Sequence, residues 1–177
     1  MADRESLRAH VRDIADWPQP GVGFKDITPL LGHPEAFAVA VRELVEHFTG
    51  ERVDKVVGIE ARGFVVAAPV ALGLGAGFVP ARKVGKLPWR THQVEYALEY
   101  GTDRLEVHAD AVVPGERVLI VDDVIATGGT AAAAAELVEL LGGEVVGLGF
   151  IIELAFLGGS ARLGGRPHTS LITYEAP

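Results

Sequence analysis

Two adjacent carboxylates, Asp122 and Asp123, follow the apolar run Val118-Leu119-Ile120-Val121 and precede Val124-Ile125-Ala126-Thr127-Gly128-Gly129-Thr130. A run of this kind reads as a buried strand. It delivers both acids at its carboxyl end, the edge where open α/β sheets bind ligands. The glycine-rich turn then opens a helix, so several backbone N–H groups face outward at the positive end of the helix dipole and can hold an anion. Gly128 and Gly129 permit close backbone approach and a positive φ. The hydroxyls of Thr127 and Thr130 add donors. Carboxylates that accept from vicinal hydroxyls, beside an amide cup for a phosphate, suit a ribose 5-phosphate.

Other phosphate signatures fail. A Walker A loop needs G-x-x-x-x-G-K-[ST], but Gly85-Lys86 is followed by Leu87 and position 80 is proline. A dinucleotide fingerprint needs a third glycine where Phe78 follows Gly73 and Gly75. A phosphoacceptor receiver domain would need a further Asp and then a Lys on later strands. The chain has no Asp after Asp123 and no Lys after Lys86.

The elements that must position these residues follow an α/β rhythm. Leu7, Val11 and Ile14 fall on one helical stripe, which predicts a short helix over 4–15. Residues 17–34, with four prolines and three glycines, read as an ordered loop. Phe37, Val41, Leu44, Val45 and Phe48 predict a helix that starts at Pro34 and ends near Gly50. Strands are expected at Val53–Ile59, Gly77–Ala81, Val118–Asp122, Glu144–Ile152 and Ser170–Tyr174, with helices over 63–74 and from Thr130 to Leu141. The strand runs are almost continuously apolar, the mark of a parallel sheet covered on both faces. Val94–Tyr100 and Arg104–His108, around Gly101-Thr102-Asp103, predict an antiparallel hairpin that could close as a lid.

With the motif and elements in hand, VLIVDDVIATGGT resembles the phosphoribosyl-pyrophosphate (PRPP) binding motif of the type I phosphoribosyltransferases. PGVGFKDITPLL (20–31), VVGIEARGF (56–64), ARKVGKLP (81–88) and ALEYG (97–101) are similar to the adenine-using branch of that family. The likeness runs from about Trp17 to about Glu175. It implies an α/β fold with a central, mostly parallel sheet flanked by helices, a flexible lid over about 84–108, and a small hood from residues 4–34, all in one domain, 1–177. It also implies a reaction: adenine and PRPP give AMP and pyrophosphate, with Mg²⁺.

The resemblance assigns roles residue by residue. Asp122, Asp123, Ala126, Thr127, Gly128, Gly129 and Thr130 would hold the ribose phosphate. Arg62, Arg82, Lys83 and Lys86 would face pyrophosphate, with Tyr100 covering the site. Residues 62–90 carry five cations, Arg90 included, and no acid, in a chain of net charge −8; that local reversal itself favours an anionic partner, with a solvated basic face as the competing reading. Phe24 and Leu154 would sandwich the purine while the main chain of Gly23 and Lys25 reads its edge, Lys25 being balanced by Asp26. Core packing is the competing reading of Phe24 and, more strongly, of Leu154. Glu99 would take the proton of the reacting ring nitrogen, with Arg62 and Lys86 serving the leaving group; a solvated hairpin edge is the competing reading of Glu99. Mg²⁺ would enter with PRPP, with no dedicated protein cage. Ala61 stands where the family pattern has serine or a similar small polar residue. A homodimer is implied, with Arg82 reaching the neighbouring site.

Composition sets outer bounds. The 177 residues are 49% hydrophobic and 23% charged, enough for one domain with a full core. There are no cysteines, hence no disulfides and no thiolate chemistry. The acidic balance is the opposite of a duplex nucleic-acid binder. Residues 64–81 carry no charge but are broken by proline and glycine, so no membrane span is expected. The charged first sixteen residues do not read as a signal peptide, and a cytoplasmic location is expected. Two alternatives stay open at this point: transfer to another base, or a PRPP-sensing regulator without turnover.

Overall fold

Short, β-branched, almost wholly apolar segments form the centre of the protein. The computed structural model describes residues 4–97 and 101–177; Glu99 and Tyr100 lie outside the described residues. A short 3₁₀ helix, Arg4–His10, leads into β1 (Arg12–Ile14), β2 (Phe24–Asp26), α1 (Thr28–Gly32), α2 (Pro34–Phe48), β3 (Lys55–Ile59), α3 (Arg62–Leu74) and β4 (Gly77–Lys83). The chain continues through β5 (Thr91–Ala97), β6 (Thr102–His108), β7 (Arg117–Ile125), α4 (Gly129–Leu140), β8 (Glu144–Leu154) and β9 (His168–Tyr174).

Seven strands make one sheet in the order β5-β6-β4-β3-β7-β8-β9. The pairs β3–β4, β3–β7, β7–β8 and β8–β9 are parallel, and the hairpin β5–β6 joins β4 antiparallel through Arg82↔Glu106 and Lys83↔Leu105. Both faces are covered, as the continuous apolar runs require. On one face α2 and α3 bury Val39, Leu44, Phe48, Val66 and Val70 against Val56, Leu119 and Val121. On the other, the alanines of α4 allow close approach to Val57, Ile120 and Phe150, and to Val94, Leu105 and Val107 of the hairpin. The hairpin thus extends the sheet. Among the described residues no helix is long and apolar enough to cross a membrane.

Two expectations are corrected. The predicted helix over 4–15 stops at His10; Arg12–Ile14 pairs with Phe24–Asp26 instead, Ile14 opposite Phe24. Leu7 still reaches the core, so the apolar stripe was real but not helical throughout. Residues 17–34 are more than a loop, since they contain β2 and α1. Asp26 turns the chain into α1 by accepting the Thr28 N–H at 2.9 Å and its hydroxyl at 2.7 Å. The Thr28 N–H, aided by the hydroxyl, Arg12 and Arg62, holds the Asp26 carboxyl below its ordinary value despite burial. The α2 ends match expectation: Pro34 is its first residue, and His33 Nδ1 accepts the Ala36 N–H at 3.3 Å.

Candidate active site

β7 runs beyond its apolar stretch and both acids, to Ile125. The chain then bends through Ala126-Thr127-Gly128 into α4. Only Gly128 of the two glycines has a positive φ, 78°. Residues 126–130, with Asp122, Val124, Ile125 and Ala131, line a cavity of about 90 Å³. The first N–H groups of a helix have no partner within it, so the α4 N-terminus presents amides at this cavity.

Asp122 and Asp123 sit close enough to interact strongly. Burial, then the Asp123 charge, pushes the Asp122 carboxyl well above the usual carboxylate range, with Arg62 opposing. Space for Asp122 comes from Gly63: a Cβ there would stand 2.5 Å from Asp122 Oδ1 and 3.3 Å from its Cα. Asp123 is buried and accepts from Arg62 Nε at 2.5 Å. Arg62 opens α3 at the carboxyl end of β3, so two parallel strands deliver the pair. Its guanidinium also lies over the Phe24 ring, 5.1 Å from the centroid.

A second, larger cavity of about 430 Å³ lies beside the first. Gly23, Phe24, Lys25, Leu154, Arg62 and Asp123 all line it, and it shares Val124, Ala126 and Thr127 with the cup. The four residues expected around a flat base therefore share one wall system with the carboxylate and the cup. Trp17 packs edge-on to Phe24 at 4.4 Å. The Lys25 side chain is not balanced by Asp26 as expected. It pairs with Asp13 at 2.8 Å and lies over Tyr174 at 4.4 Å.

The cations of residues 62–90 do not form a bare positive field. Acids distant in sequence reach three of them: Asp123 meets Arg62, Glu60 meets Arg82 Nε at 2.9 Å, and Asp103 meets Lys83 at 2.9 Å. The Asp103 hydrogen bond and charge raise the Lys83 ammonium above its ordinary value. Among the described residues no carboxylate pairs with Lys86 or Arg90. Sequence reasoning also missed Phe156 and Leu157, which line the larger cavity, and Gly159, whose backbone abuts Ala126 and Gly128. The Gly158-Gly159 dipeptide was the available signal.

A model of the phosphoribosyl transferase domain matches residues 30–159. The chain is 61% identical over 168 residues to an adenine phosphoribosyltransferase of Acidothermus cellulolyticus, covering 95% of each chain. The adenine phosphoribosyltransferase structure from Rhodothermus marinus superposes with a TM-score of 0.93 at 53% identity, covering 97% of this chain and 98% of that one. The enzyme from Saccharomyces cerevisiae, solved with an imino-altritol bisphosphate and adenine, gives a TM-score of 0.89 at 40% identity over 95% and 97% of the two chains. Likeness at this level over nearly the whole chain places it in the type I phosphoribosyltransferase family, among its adenine phosphoribosyltransferases.

Proposed function

We propose that the two joined cavities carry out one pentosyl transfer, with the adenine in the larger and the 5-phosphate in the cup. The overall reaction is that of the family: adenine and PRPP give AMP and pyrophosphate, a step of purine salvage. The observation that carries the site assignment is the wall common to both cavities, Val124, Ala126 and Thr127, with Asp123 lining the larger cavity and Asp122 the cup. A nucleoside monophosphate needs such a layout: an apolar slot for the base, an acid at the sugar, amides at the phosphate.

In this reading the purine lies between Phe24 and Leu154, and main-chain groups of Gly23 and Lys25 read its edge. Asp122 and Asp123 hold the ribose hydroxyls. The ring nitrogen of adenine forms a bond to the anomeric carbon while the bond to pyrophosphate oxygen breaks, and its electron pair leaves with pyrophosphate. Positive charge develops on the sugar, by analogy with glycosyl transfer through an oxocarbenium-like state. Arg62 swings from Asp123 to the departing pyrophosphate, where Arg82, Lys83 and Lys86 add charge. Glu99 takes the proton of the attacking nitrogen, and Tyr100 covers the site. Excluding water at closure protects PRPP from hydrolysis.

Mg²⁺ would enter with PRPP, keeping several waters, rather than occupy a dedicated protein cage, since Asp122 and Asp123 are engaged with the ribose hydroxyls. Such an ion supplies positive charge against pyrophosphate oxygens. A homodimer is supported by the exposed apolar side chains Val65 and Leu72 on α3 and Phe78 on β4, the strand that carries Arg82.

Purified protein given Mg²⁺ and PRPP will release pyrophosphate with adenine and far less with guanine. Use of guanine or orotate in place of adenine would overturn the base assignment. Glu99→Gln will lower kcat at least about a hundredfold, the lower end expected when a general base is removed. A change under about threefold would return Glu99 to a solvated hairpin edge.

A further inference from the structure

Glu106 is a buried carboxylate that the transfer chemistry above does not use. It lies on β6, only 2% exposed, directly opposite Arg82 of β4. Burying an ion is unfavourable unless its oxygens are satisfied, and here they are. Oε1 accepts the N–H of Lys86 at 3.1 Å and of Leu87 at 3.0 Å, and Oε2 accepts the Thr91 hydroxyl at 3.0 Å. Burial alone would raise its pKa. The donors Leu87, Thr91, Lys86 and Gly85 outweigh that and hold the carboxyl below its ordinary value.

The groups held are the backbone of the turn that leaves β4 and carries Lys86. Lys86 N–H also closes on the Lys83 carbonyl at 3.3 Å. The cross-strand partner grips the same residue from the other side, since Arg82 Nη1 donates to the Lys86 carbonyl at 3.2 Å. Arg82 in turn is fixed by Glu60, two residues before Arg62. One chain of contacts therefore runs from Glu60, between β3 and α3, through Arg82 to Lys86, and Glu106 closes its far end. β3, β4 and β7 are parallel, so this turn emerges at the same sheet edge as Asp122 and the cup.

We infer that Glu106 is a positioning residue for the pyrophosphate half of the site, setting the turn that presents Lys86. This rests on the proposed role of Lys86 at pyrophosphate. The carboxylate has no contact with that ligand itself; its two oxygens are turned to the backbone and to Thr91. Its effect should therefore fall on PRPP and spare the nucleotide product, which lacks pyrophosphate.

The test compares Glu106→Ala, Glu106→Gln, Lys86→Ala and the Lys86→Ala/Glu106→Ala double variant in the full chain. KM values for PRPP and adenine and the Kd for AMP are measured for each. Losing charged hydrogen bonds to the turn should raise the KM for PRPP about tenfold or more in Glu106→Ala, with AMP affinity within about twofold of the parent. Glu106→Gln keeps an oxygen for both N–H groups and an amide for Thr91, and should restore the KM to within about threefold. Because Glu106 acts through Lys86, the double variant should be no worse than Lys86→Ala alone.

If Lys86→Ala raises the KM and Glu106→Ala does not, the positioning inference is wrong and the pyrophosphate site stands. If Lys86→Ala has no effect, the underlying reading fails instead. Equal losses for PRPP and AMP in Glu106→Ala would mean general disruption and would overturn the inference. Should Glu106→Ala not fold, Glu106→Asp, with its oxygens withdrawn by one methylene, gives the same readouts with the same criteria.

Discussion

The double variant Asp122→Asn/Asp123→Asn will use PRPP roughly 10³-fold less efficiently in kcat/KM, because hydrogen bonds to ionised groups are worth about 1.5–3 kcal/mol each and the ribose offers two hydroxyls to them. Steady-state kinetics with saturating adenine measures this. Parental kinetics would remove both acids from the sugar. The fold should survive, since asparagine matches aspartate in shape and its oxygen can still accept the Asp123 backbone N–H that Asp122 Oδ1 now accepts at 2.8 Å.

The single variants should move stability in opposite directions. Asp122 has its pKa raised, first by burial and then by Asp123. Its contribution to stability is full below the unfolded carboxylate value and is lost as pH rises through the folded value. An amide in its place cannot ionise, so Asp122→Asn should raise the melting temperature, and its advantage should grow from acidic to mildly alkaline pH. Asp123→Asn removes the partner of Arg62 and should lower it. The pairing of Asp122 with a like charge is then a place where stability is given up to hold a diol. Thermal melts across pH check both signs; a destabilised Asp122→Asn at alkaline pH would contradict the burial of its charge.

The parallel centre of the sheet was legible because β3, β7 and β8 each carry an almost unbroken apolar run bounded by glycine, proline or charge. Burial on both faces leaves no other pattern open to Val118–Val121 or to Val146–Ile152. α2 was legible end to end because Pro34 marks its start and Gly50 its end locally. β1 was not legible. Leu7, Val11 and Ile14 keep a helical spacing, but Ile14 pairs with Phe24 across a loop, and that pairing exists only once the hood has folded. α1 is similar: its start depends on the Asp26 carboxylate meeting Thr28, a turn too short to show periodicity.

The same division holds at the site. The cup was readable because strand, acids, turn and helix are consecutive. Phe24 and Leu154 came from family resemblance, and the structure brings them to one cavity from β2 and the end of β8. Charge counting within 62–90 overstated the free positive charge. Asp123, Glu60 and Asp103 are brought to Arg62, Arg82 and Lys83 by sheet order, which no window on the sequence contains. Glu106 carried no signal as a sequence letter for the same reason. Its meaning comes from its register opposite Arg82.

Gly128→Ala should abolish detectable turnover. Two effects combine at this residue. Its φ of 78° is left-handed, which costs an L-residue about 1–2 kcal/mol. A Cβ there would also collide with the Gly159 carbonyl oxygen and stand 2.9 Å from Gly159 C and 3.1 Å from its Cα. All three are backbone atoms that cannot rotate aside, so the turn must move off the 158–159 loop. Gly159 is packed as tightly in return, since a Cβ on it would stand 2.8 Å from Gly128 N. Displacing amides that hold a phosphate loses charged hydrogen bonds, so AMP affinity should fall about a hundredfold or more. Gly115→Ala is the control: its φ is +86° with nothing within 4 Å, so it carries the conformational penalty without the collision and should keep parental activity. If Gly128→Ala binds AMP as tightly as Gly115→Ala does, the backbone contact does not shape the cup, and the phosphate is held elsewhere.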